Sequence, residues 1–191
     1  RTLPAGAEWV RERVERVDPD NSQAELASGE RIHYRWLLVA PGLEINWGAI
    51  DGLEETLGEH GVTSNYRRDL APYTAQLAQT VEAGDCLFTQ PAMPIKCAGA
   101  PQKALYLTAD RLRRRGASAT CHFYLQGPAM FGVPVFAKAL EKVIEGYGAQ
   151  RHHGHNLIAV DGPGHKAVFR TEDDETVERR RGTRLADDLE A

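Results

Sequence analysis

The apolar residues of the chain fall into short clusters separated by turn-forming residues. Between residues 8 and 42 these clusters are brief, and two of them flank Ser28-Gly29-Glu30, which is typical of a β-hairpin. The run at 36–40, Trp-Leu-Leu-Val-Ala, is unbroken and stops at Pro41-Gly42. A short, continuously apolar run between such breakers predicts a strand buried on both faces.

Helix-type and strand-type patterns alternate from residue 70 onward. The spacing predicts helices over 70–83, 101–115 and 134–147, and strands over 87–89, 119–125, 155–160 and 167–170. Gly116 follows the second helix and is expected to end it, because glycine adopts the left-handed backbone of a helix C-terminus. This alternation indicates an α/β fold of parallel βαβ units, preceded by a β-rich segment.

Composition excludes several classes of protein. The 191 residues include 23 Lys plus Arg and 27 Asp plus Glu, which gives a formal net charge of −4. Nucleic-acid binding needs a basic face, so no nucleic-acid partner is expected, and Arg113-Arg114-Arg115 is interpreted as a solvated helix end. No apolar run is long enough for a membrane-spanning helix, so the chain is expected to be soluble. It begins without Met or a signal peptide, as an excised piece would.

The junction between the strand at 87–89 and the helix at 101–115 carries the strongest chemical signal. In a nucleotide-binding βαβ unit this turn holds G-x-G-x-x-G, whose backbone amides approach a pyrophosphate. Here it holds Pro91, Pro94 and Pro101, which donate no hydrogen bonds, so the turn is unfit for NAD. The match at Gly162–Ala167 contains a proline and leads into a strand, which indicates a hairpin turn.

The same junction carries a cysteine. Cys97 follows Lys96 and precedes a helix N-terminus, and both features favour the nucleophilic thiolate. The residues alone leave two alternatives open, a reactive thiol and a structural one. Cys86 and Cys121 lie in strand-like apolar runs and are interpreted as inert packing.

Two further clusters are interpreted as solvated surface. Adjacent His152 and His153, in His152-His153-Gly154-His155, would face opposite ways in a strand, and no Cys or carboxylate lies close in sequence. The acidic run at 172–175 is expected to be a solvated turn, and the charged segment 171–191 a mobile tail. No metal site is therefore predicted.

The segment 88–103, Phe-Thr-Gln-Pro-Ala-Met-Pro-Ile-Lys-Cys-Ala-Gly-Ala-Pro-Gln-Lys, closely resembles sulfide:quinone oxidoreductases of the flavoprotein disulfide-reductase superfamily. The resemblance extends over residues 8–170 and includes the runs at 38–42, 61–66 and 131–134. It implies a central fragment of such an enzyme. Residues 1–64 would be part of an FAD-binding domain, and residues 65–170 a Rossmann domain of the NAD(P) type that lacks the glycine motif.

The resemblance also implies a function. Cys97, with Lys96 beside it, corresponds to one of the family's two redox cysteines. In the family, sulfide attacks the bridged pair, one cysteine becomes a persulfide, and two electrons pass through FAD to quinone. Ala40, Pro41 and Gly42 correspond to a turn near the flavin. The other flavin motifs, the partner cysteine and the quinone-site helices are expected outside this chain. The isolated piece would then be inactive and without FAD. Its parent would be a peripheral membrane protein and could form a homo-oligomer.

Two alternatives are weighed against this interpretation. An NADH:quinone-type flavoprotein reductase of the same superfamily is disfavoured by the absent glycine motif. A non-catalytic βαβ module would use Cys97 only to pack a turn. The reactivity of the Cys97 thiol discriminates the non-catalytic module from the two enzyme interpretations.

Overall fold

A computed structural model describes residues 3–93 and 95–180 and the backbone of residues 184 and 185. The chain divides into two compact units, Arg1–Leu43 and Glu44–Ala191. The mixed α/β class, with parallel βαβ units behind a β-rich segment, is confirmed. The predicted functional division at residues 64 and 170 stays a prediction. No helix in the described part of the chain is both long and apolar enough to cross a membrane.

The first unit contains an antiparallel sheet of three strands, β1 (Val14–Asp18), β2 (Gln23–Leu26) and β3 (Arg31–His33). The predicted hairpin is confirmed as the pair β2 and β3, and Ala24 pairs with Ile32. Ala24 and Leu26 are buried while the residues between and around them are more exposed, which is the period-two pattern of a sheet with one solvated face.

The prediction of a buried strand at 36–40 is wrong. These residues form no strand, and Trp36 and Leu38 are 86% and 92% exposed. A strand buried on both faces needs paired neighbours and covering layers, and no strand among the described residues pairs with this run. The apolar pattern therefore indicates a preference for burial that no neighbouring strand or covering layer in the described structure meets.

The second unit is built on a sheet of order β10-β4-β5-β6. Strands β4 (Val81–Gln90), β5 (Ser118–Leu125) and β6 (Gln150–His152) are parallel, and β10 (Arg184–Leu185) pairs antiparallel with the start of β4. Helix α3 (Gly99–Arg115) connects β4 to β5, and helix α4 (Pro134–Gly146) precedes β6. These strands and helices form two successive βαβ units, as the alternating pattern predicts.

Local sequence explains where these helices begin and end. Pro134 is the first residue of α4, where a missing N–H costs nothing. Gly116 ends α3 with φ +71°, and Ala117 N–H donates to Leu112 O at 3.0 Å, which satisfies a carbonyl of the last turn. Both ends agree with the predictions.

Helix α2 (Ala71–Thr80) is shorter than predicted. Its pattern was expected to continue to residue 83, but the chain turns at Val81 directly into β4. Arg115 holds this junction, because its guanidinium donates to the Val81 carbonyl at 2.7 Å and pairs with Glu82. The basic run at the end of α3 is thus engaged within the chain, and Asp110 pairs with both Arg113 and Arg114.

The core of the second unit lies between the parallel sheet and its two helices. One face of β5 contributes Cys121, Phe123 and Leu125, and the helices cover them with apolar residues that are almost fully buried. These helix residues are Leu105, Ala109, Leu112 and Ile144. Alternation along β5 sends the intervening His122 and Tyr124 to the opposite face of the sheet.

That opposite face packs against an antiparallel sheet of β7 (His155–Asp161), β8 (Lys166–Thr171) and β9 (Thr176–Arg180). Tyr124 and Phe169 stack with ring centroids 4.3 Å apart. The short helix α1 (Leu53–Thr56) joins this sheet through Gly52, which has φ +70°. A Cβ there would lie 2.2 Å from the Val160 carbonyl oxygen, so glycine is required.

Strand β9 replaces part of the predicted mobile tail. Residues 172–174 form the expected exposed turn, and residues 176–180 then pair antiparallel with β8. The segment is almost entirely polar, and only Val177 faces an apolar partner, Phe169, across the pair. Backbone hydrogen bonds to β8, rather than apolar burial, order this segment, and such bonds leave little trace in a hydropathy pattern. The rest of the predicted tail lies outside the described residues, apart from the β10 backbone.

Candidate functional site

The candidate site is the loop that leaves the carboxyl end of β4 and enters α3. Cys97 lies two residues before the helix begins and is exposed, and Ala100 N–H donates to its carbonyl at 3.0 Å. In open α/β sheets ligands bind outside the carboxyl ends of the strands. The fold therefore presents this thiol where an α/β protein usually performs its chemistry.

Tyr66 fixes the backbone at Cys97 from outside the loop. Its hydroxyl donates to the Cys97 carbonyl at 3.2 Å, although the residues are 31 apart in sequence. Burial raises the pKa of Tyr66, and the negative charge of a Cys97 thiolate adds to that rise. The tyrosine therefore stays a neutral hydrogen-bond donor beside the thiol at neutral pH.

Gln102 fixes the same loop through hydrogen bonds of its side chain. Its side chain is buried, and its amide donates to the Ala98 carbonyl at 3.3 Å and to the Met130 carbonyl. Tyr106 donates to the Gln102 Oε1 at 3.1 Å, which completes the network. One side chain thus joins the start of α3 to the turn that follows β5.

A cleft of about 520 Å³ lies beside the loop. Its wall combines apolar side chains such as Met93 and Phe131 with the charged Lys138 and Glu141 of α4. Gln90 lies in this wall, and its buried Oε1 has no hydrogen-bond partner among the described residues. Ala98 links the cleft to the loop that carries Cys97.

The other sequence-predicted site residues fall in two parts of the chain. Lys96 is exposed on the same loop. Ala40, Pro41 and Gly42 belong to the first unit, where they are exposed and irregular. Gly42 has φ +80°, with open space around its Cα.

The histidine tract is not the solvated strand end that the sequence suggests. His152 stacks on Tyr124 with ring centroids 4.2 Å apart, and its Nε2 lies 3.1 Å from His122 Nδ1. His122 Nε2 in turn lies 3.1 Å from Asp85 Oδ1. Burial, together with the positive charges of nearby histidines and Arg179, lowers the pKa of His152 to about 4.

This stack holds a hydrogen-bonded chain. Asp85 contacts His122, and His122 contacts His152. Among the residues that the structure describes, no group of three or more His, Cys, Asp or Glu side chains could hold a metal ion.

Sequence reasoning did not single out Tyr66 or Gln102 as site residues. Both act through hydrogen bonds to backbone carbonyls 4 to 31 residues away. A tyrosine in a loop and a glutamine in the first turn of a helix carry no pattern of their own. Their occurrence within segments that resemble the flavoprotein family, 61–66 and 88–103, is the signal that could have found them.

Comparison with known sequences points in one direction. No protein-family model matches the chain. It is 36% identical over 172 residues to the mitochondrial sulfide:quinone oxidoreductase of Dictyostelium discoideum, and 35% identical over 169 residues to that of Mus musculus. These matches cover 88% and 87% of the chain but only 38% of each relative, so the chain spans less than two fifths of their length.

Solved structures show the same fold. The sulfide:quinone oxidoreductase of Aquifex aeolicus matches 90% of the chain with a TM-score of 0.67 and 19% identity, and the chain covers 40% of it. The NDH2 of Plasmodium falciparum, in complex with NADH, matches 90% with a TM-score of 0.54 and 9% identity, over 38% of its own length. The resemblance expected from the segment around Cys97 is thereby confirmed: the chain is a homologue of the sulfide:quinone oxidoreductases.

Proposed function

We propose that this chain is the sulfur-handling part of an FAD-dependent sulfide:quinone oxidoreductase, with Cys97 as the residue that carries sulfur. The observation that supports this most strongly is the exposed thiol at the carboxyl end of β4, within the segment that matches relatives of that name. In this proposal sulfide attacks a sulfur bridge between Cys97 and a second cysteine outside this chain. The released thiolate takes the electron pair of the broken bond.

The contacts around Cys97 suit that role. Tyr66 and Gln102 hold the carbonyls of Cys97 and Ala98, so the loop keeps its position while the thiol stays accessible. Fixing a reacting group in place removes much of the entropic cost of reaction. Lys96, exposed on the same loop, supplies a positive charge that attracts hydrosulfide.

The residues proposed to contact FAD are Ala40, Pro41 and Gly42. They fit a flat ring system, because their side chains are small and no atom lies within 4 Å of where a Cβ on Gly42 would be. When bound, FAD would supply the two-electron acceptor that sulfide oxidation requires. Pro41 has no N–H, so this turn would contact the ring by packing and through its carbonyls.

The remaining parts of the proposal concern the longer protein. Quinone as second substrate, peripheral association with a membrane and a homo-oligomeric state belong to it, and the chain alone is expected to be inactive and to retain no FAD. An NADH-dependent reductase is not favoured. Pro91 in the loop after β4 and Pro101 in the first turn of α3 have no N–H to donate to a pyrophosphate.

The test uses the full-length gene product that contains this chain. We expect sulfide-dependent quinone reduction that falls by at least about a thousandfold in Cys97→Ser, because without the Cys97 sulfur there is no bridge for sulfide to attack. Cys86→Ala is the matched control and should retain activity. Turnover in Cys97→Ser equal to that of the wild type would refute the proposal. Flavin reduction by NADH but not by sulfide would establish the alternative reductase.

A further inference from the structure

Aromatic rings make the contact between the two sheets of the second unit. Tyr124 of β5 stacks on Phe169 of β8, and its hydroxyl accepts a hydrogen bond from Arg179 Nε of β9 at 3.2 Å. His155 of β7 lies edge-on to Tyr124 and Phe169, with ring centroids 5.5 and 6.1 Å away. His152 of β6 stacks on Tyr124 and lies 6.1 Å from the His155 ring. A positive charge on His152 would therefore lie where the two sheets meet.

The side chains of Asp85, His122 and His152, here called the histidine chain, run from that contact across the parallel sheet. Asp85 Oδ1 lies 3.1 Å from His122 Nε2, and His122 Nδ1 lies 3.1 Å from His152 Nε2. A carboxylate can only accept, so His122 Nε2 carries the proton of the first bond. The bare Nδ1 of neutral His122 then accepts, so His152 Nε2 carries the proton of the second. The contacts thus assign an Nε2–H tautomer to both neutral rings.

The histidine chain can take up one proton without losing a hydrogen bond. The new proton binds His152 Nδ1, and the shared proton moves from His152 Nε2 to His122 Nδ1. His122 is then the cation, with the Asp85 carboxylate as its partner. A second proton would have to bind His152 Nε2, which places two N–H donors against each other across 3.1 Å. That proton therefore breaks the bond between the two rings.

The groups around His152 make the second proton unfavourable for a further reason. His155 of β7 and Arg179 of β9 approach from the other sheet, and His153 is the next residue in the sequence. Burial, followed by the positive charges of these groups and of His122, lowers the pKa of His152. A second proton thus places like charges on both sides of the contact between the sheets.

The acidic groups on the neighbouring elements are engaged elsewhere. Asp85 of β4 contacts His122, and the Glu172 side chain, in the turn after β8, lies against Gly154. A Cβ on Gly154 would be only 2.9 Å from Glu172 Cγ. Among the residues that the structure describes, no carboxylate forms an ion pair with His152. A doubly protonated histidine chain therefore has one partner carboxylate for two positive charges.

We propose that the histidine chain is an acid-sensitive switch of the contact between the parallel sheet and the β7–β9 sheet. One added proton leaves the two sheets joined. A second weakens the contact, so that the β7–β9 sheet opens more often while the helix-covered core stays packed. That core, which includes Leu105 and Phe123, contains none of the titrating groups. The switch does not depend on the proposed enzymatic function.

The experiment measures hydrogen exchange of the 191-residue chain by mass spectrometry at pH 7 and pH 4, in several low concentrations of urea. Each rate is divided by the intrinsic rate at that pH. We expect the protection of β8 to fall about tenfold from pH 7 to pH 4, since the partly exposed ring gives less than its full pKa shift. Urea should affect β8 much less than residues 105–112 of α3, because a local opening exposes little surface. Equal protection and equal urea dependence of both segments would overturn the proposal.

His152→Gln tests the second proton directly. Glutamine still offers an N–H donor towards His122 Nδ1 but takes up no proton in this range, so β8 should lose little protection in acid. His33→Gln, which changes an exposed histidine of the first unit, is the control and should keep the wild-type fall. The wild-type fall in His152→Gln, or its absence from His33→Gln, would overturn the proposal.

The tautomers provide a test that needs no variant. Nitrogen-15 NMR of the histidine rings at pH 7 should show Nε2–H and a bare Nδ1 in both His122 and His152. Nδ1–H on neutral His152 at pH 7 would overturn the assigned direction of the histidine chain, and with it the proposal.

Discussion

The cysteines of this chain occupy two contrasting environments. Cys97 is exposed on a loop whose backbone is fixed by Tyr66 and Gln102, whereas Cys86 and Cys121 lie opposite each other in the sheet, against an apolar core. The same side chain is thus an accessible nucleophile in one place and a packing group in the other. The difference teaches that the surroundings, and not the cysteine itself, decide the role of each thiol. Polar contacts fix the loop that exposes Cys97, whereas apolar contacts surround Cys86 and Cys121.

The largest effect is expected where the comparison rests on packing. Phe123 is fully buried between Cys121 and the helices, so Phe123→Ala should lower the free energy of unfolding by about 3–5 kcal/mol in urea titrations. Cys121 should then become accessible to iodoacetamide at lower urea concentrations, while labelling of Cys97 in buffer stays unchanged. Phe123→Leu, which keeps most of the volume, should cost much less. An equal gain in labelling at Cys97 would show that loop and core are not separate.

A smaller effect is expected at the anchor between the two environments. Gln102→Ala removes the side-chain donor to the Ala98 and Met130 carbonyls and the acceptor at 3.1 Å from the Tyr106 hydroxyl, which should lower the free energy of unfolding by about 1–3 kcal/mol. Unlike Phe123→Ala, it should also increase hydrogen exchange in the loop at 95–100. The control is Lys103→Ala, an exposed neighbour on the same helix, with an expected change within about 0.5 kcal/mol. Unchanged exchange in Gln102→Ala would remove this residue from the site.

The far face of the sheet adds a dependence on pH. His152 has a pKa of about 4 in the folded chain and about 6.5 when unfolded, so the unfolded state binds more protons between these values. The stability that neutral His152 contributes is complete above pH 6.5 and is lost as the pH falls towards 4. Because the ring is partly exposed, the loss should be about 1–2 kcal/mol.

His152→Gln isolates this contribution. Urea unfolding at pH 7 and pH 4 should show a smaller acid loss of stability in the variant than in the wild type, because glutamine does not titrate in this range. The substitution should also leave the labelling of Cys97 at neutral pH unaltered. Equal acid sensitivity of wild type and variant would contradict the buried, neutral state of this ring.

The smallest effect is expected at Tyr66. Tyr66→Phe removes one hydrogen bond to the Cys97 carbonyl and keeps the ring, so it should lower the free energy of unfolding by about 0.5–1.5 kcal/mol. The converse variant, Cys97→Ser, should lower the pKa of Tyr66 slightly, because burial is the larger cause of its rise and remains. Ultraviolet titration of the phenol measures that shift. A rise, or a fall that restores the ordinary tyrosine value, would contradict the arrangement.

Much of the second unit follows from local sequence. The limits of α3 and α4 follow from Pro134 and Gly116 because helix ends depend on residues next to them. The exposed run at 36–40 and strand β9 do not follow, because whether a strand forms depends on partners that hydropathy does not record. The position of Cys97 on the loop before α3 could be predicted from its segment, whereas its contact with Tyr66 and the register of Cys86 with Cys121 depend on long-range packing.

The most direct measurement concerns sulfur transfer to Cys97 itself. The folded chain is treated briefly with inorganic polysulfide, which donates one sulfur atom to a thiolate and leaves shortened by one sulfur, and each cysteine is then mapped by mass spectrometry after alkylation. The account predicts one added sulfur on Cys97, formed faster than on Cys97 in the urea-unfolded chain, and none on Cys86 or Cys121. No added sulfur on Cys97, or addition no faster than in the unfolded chain, would contradict it.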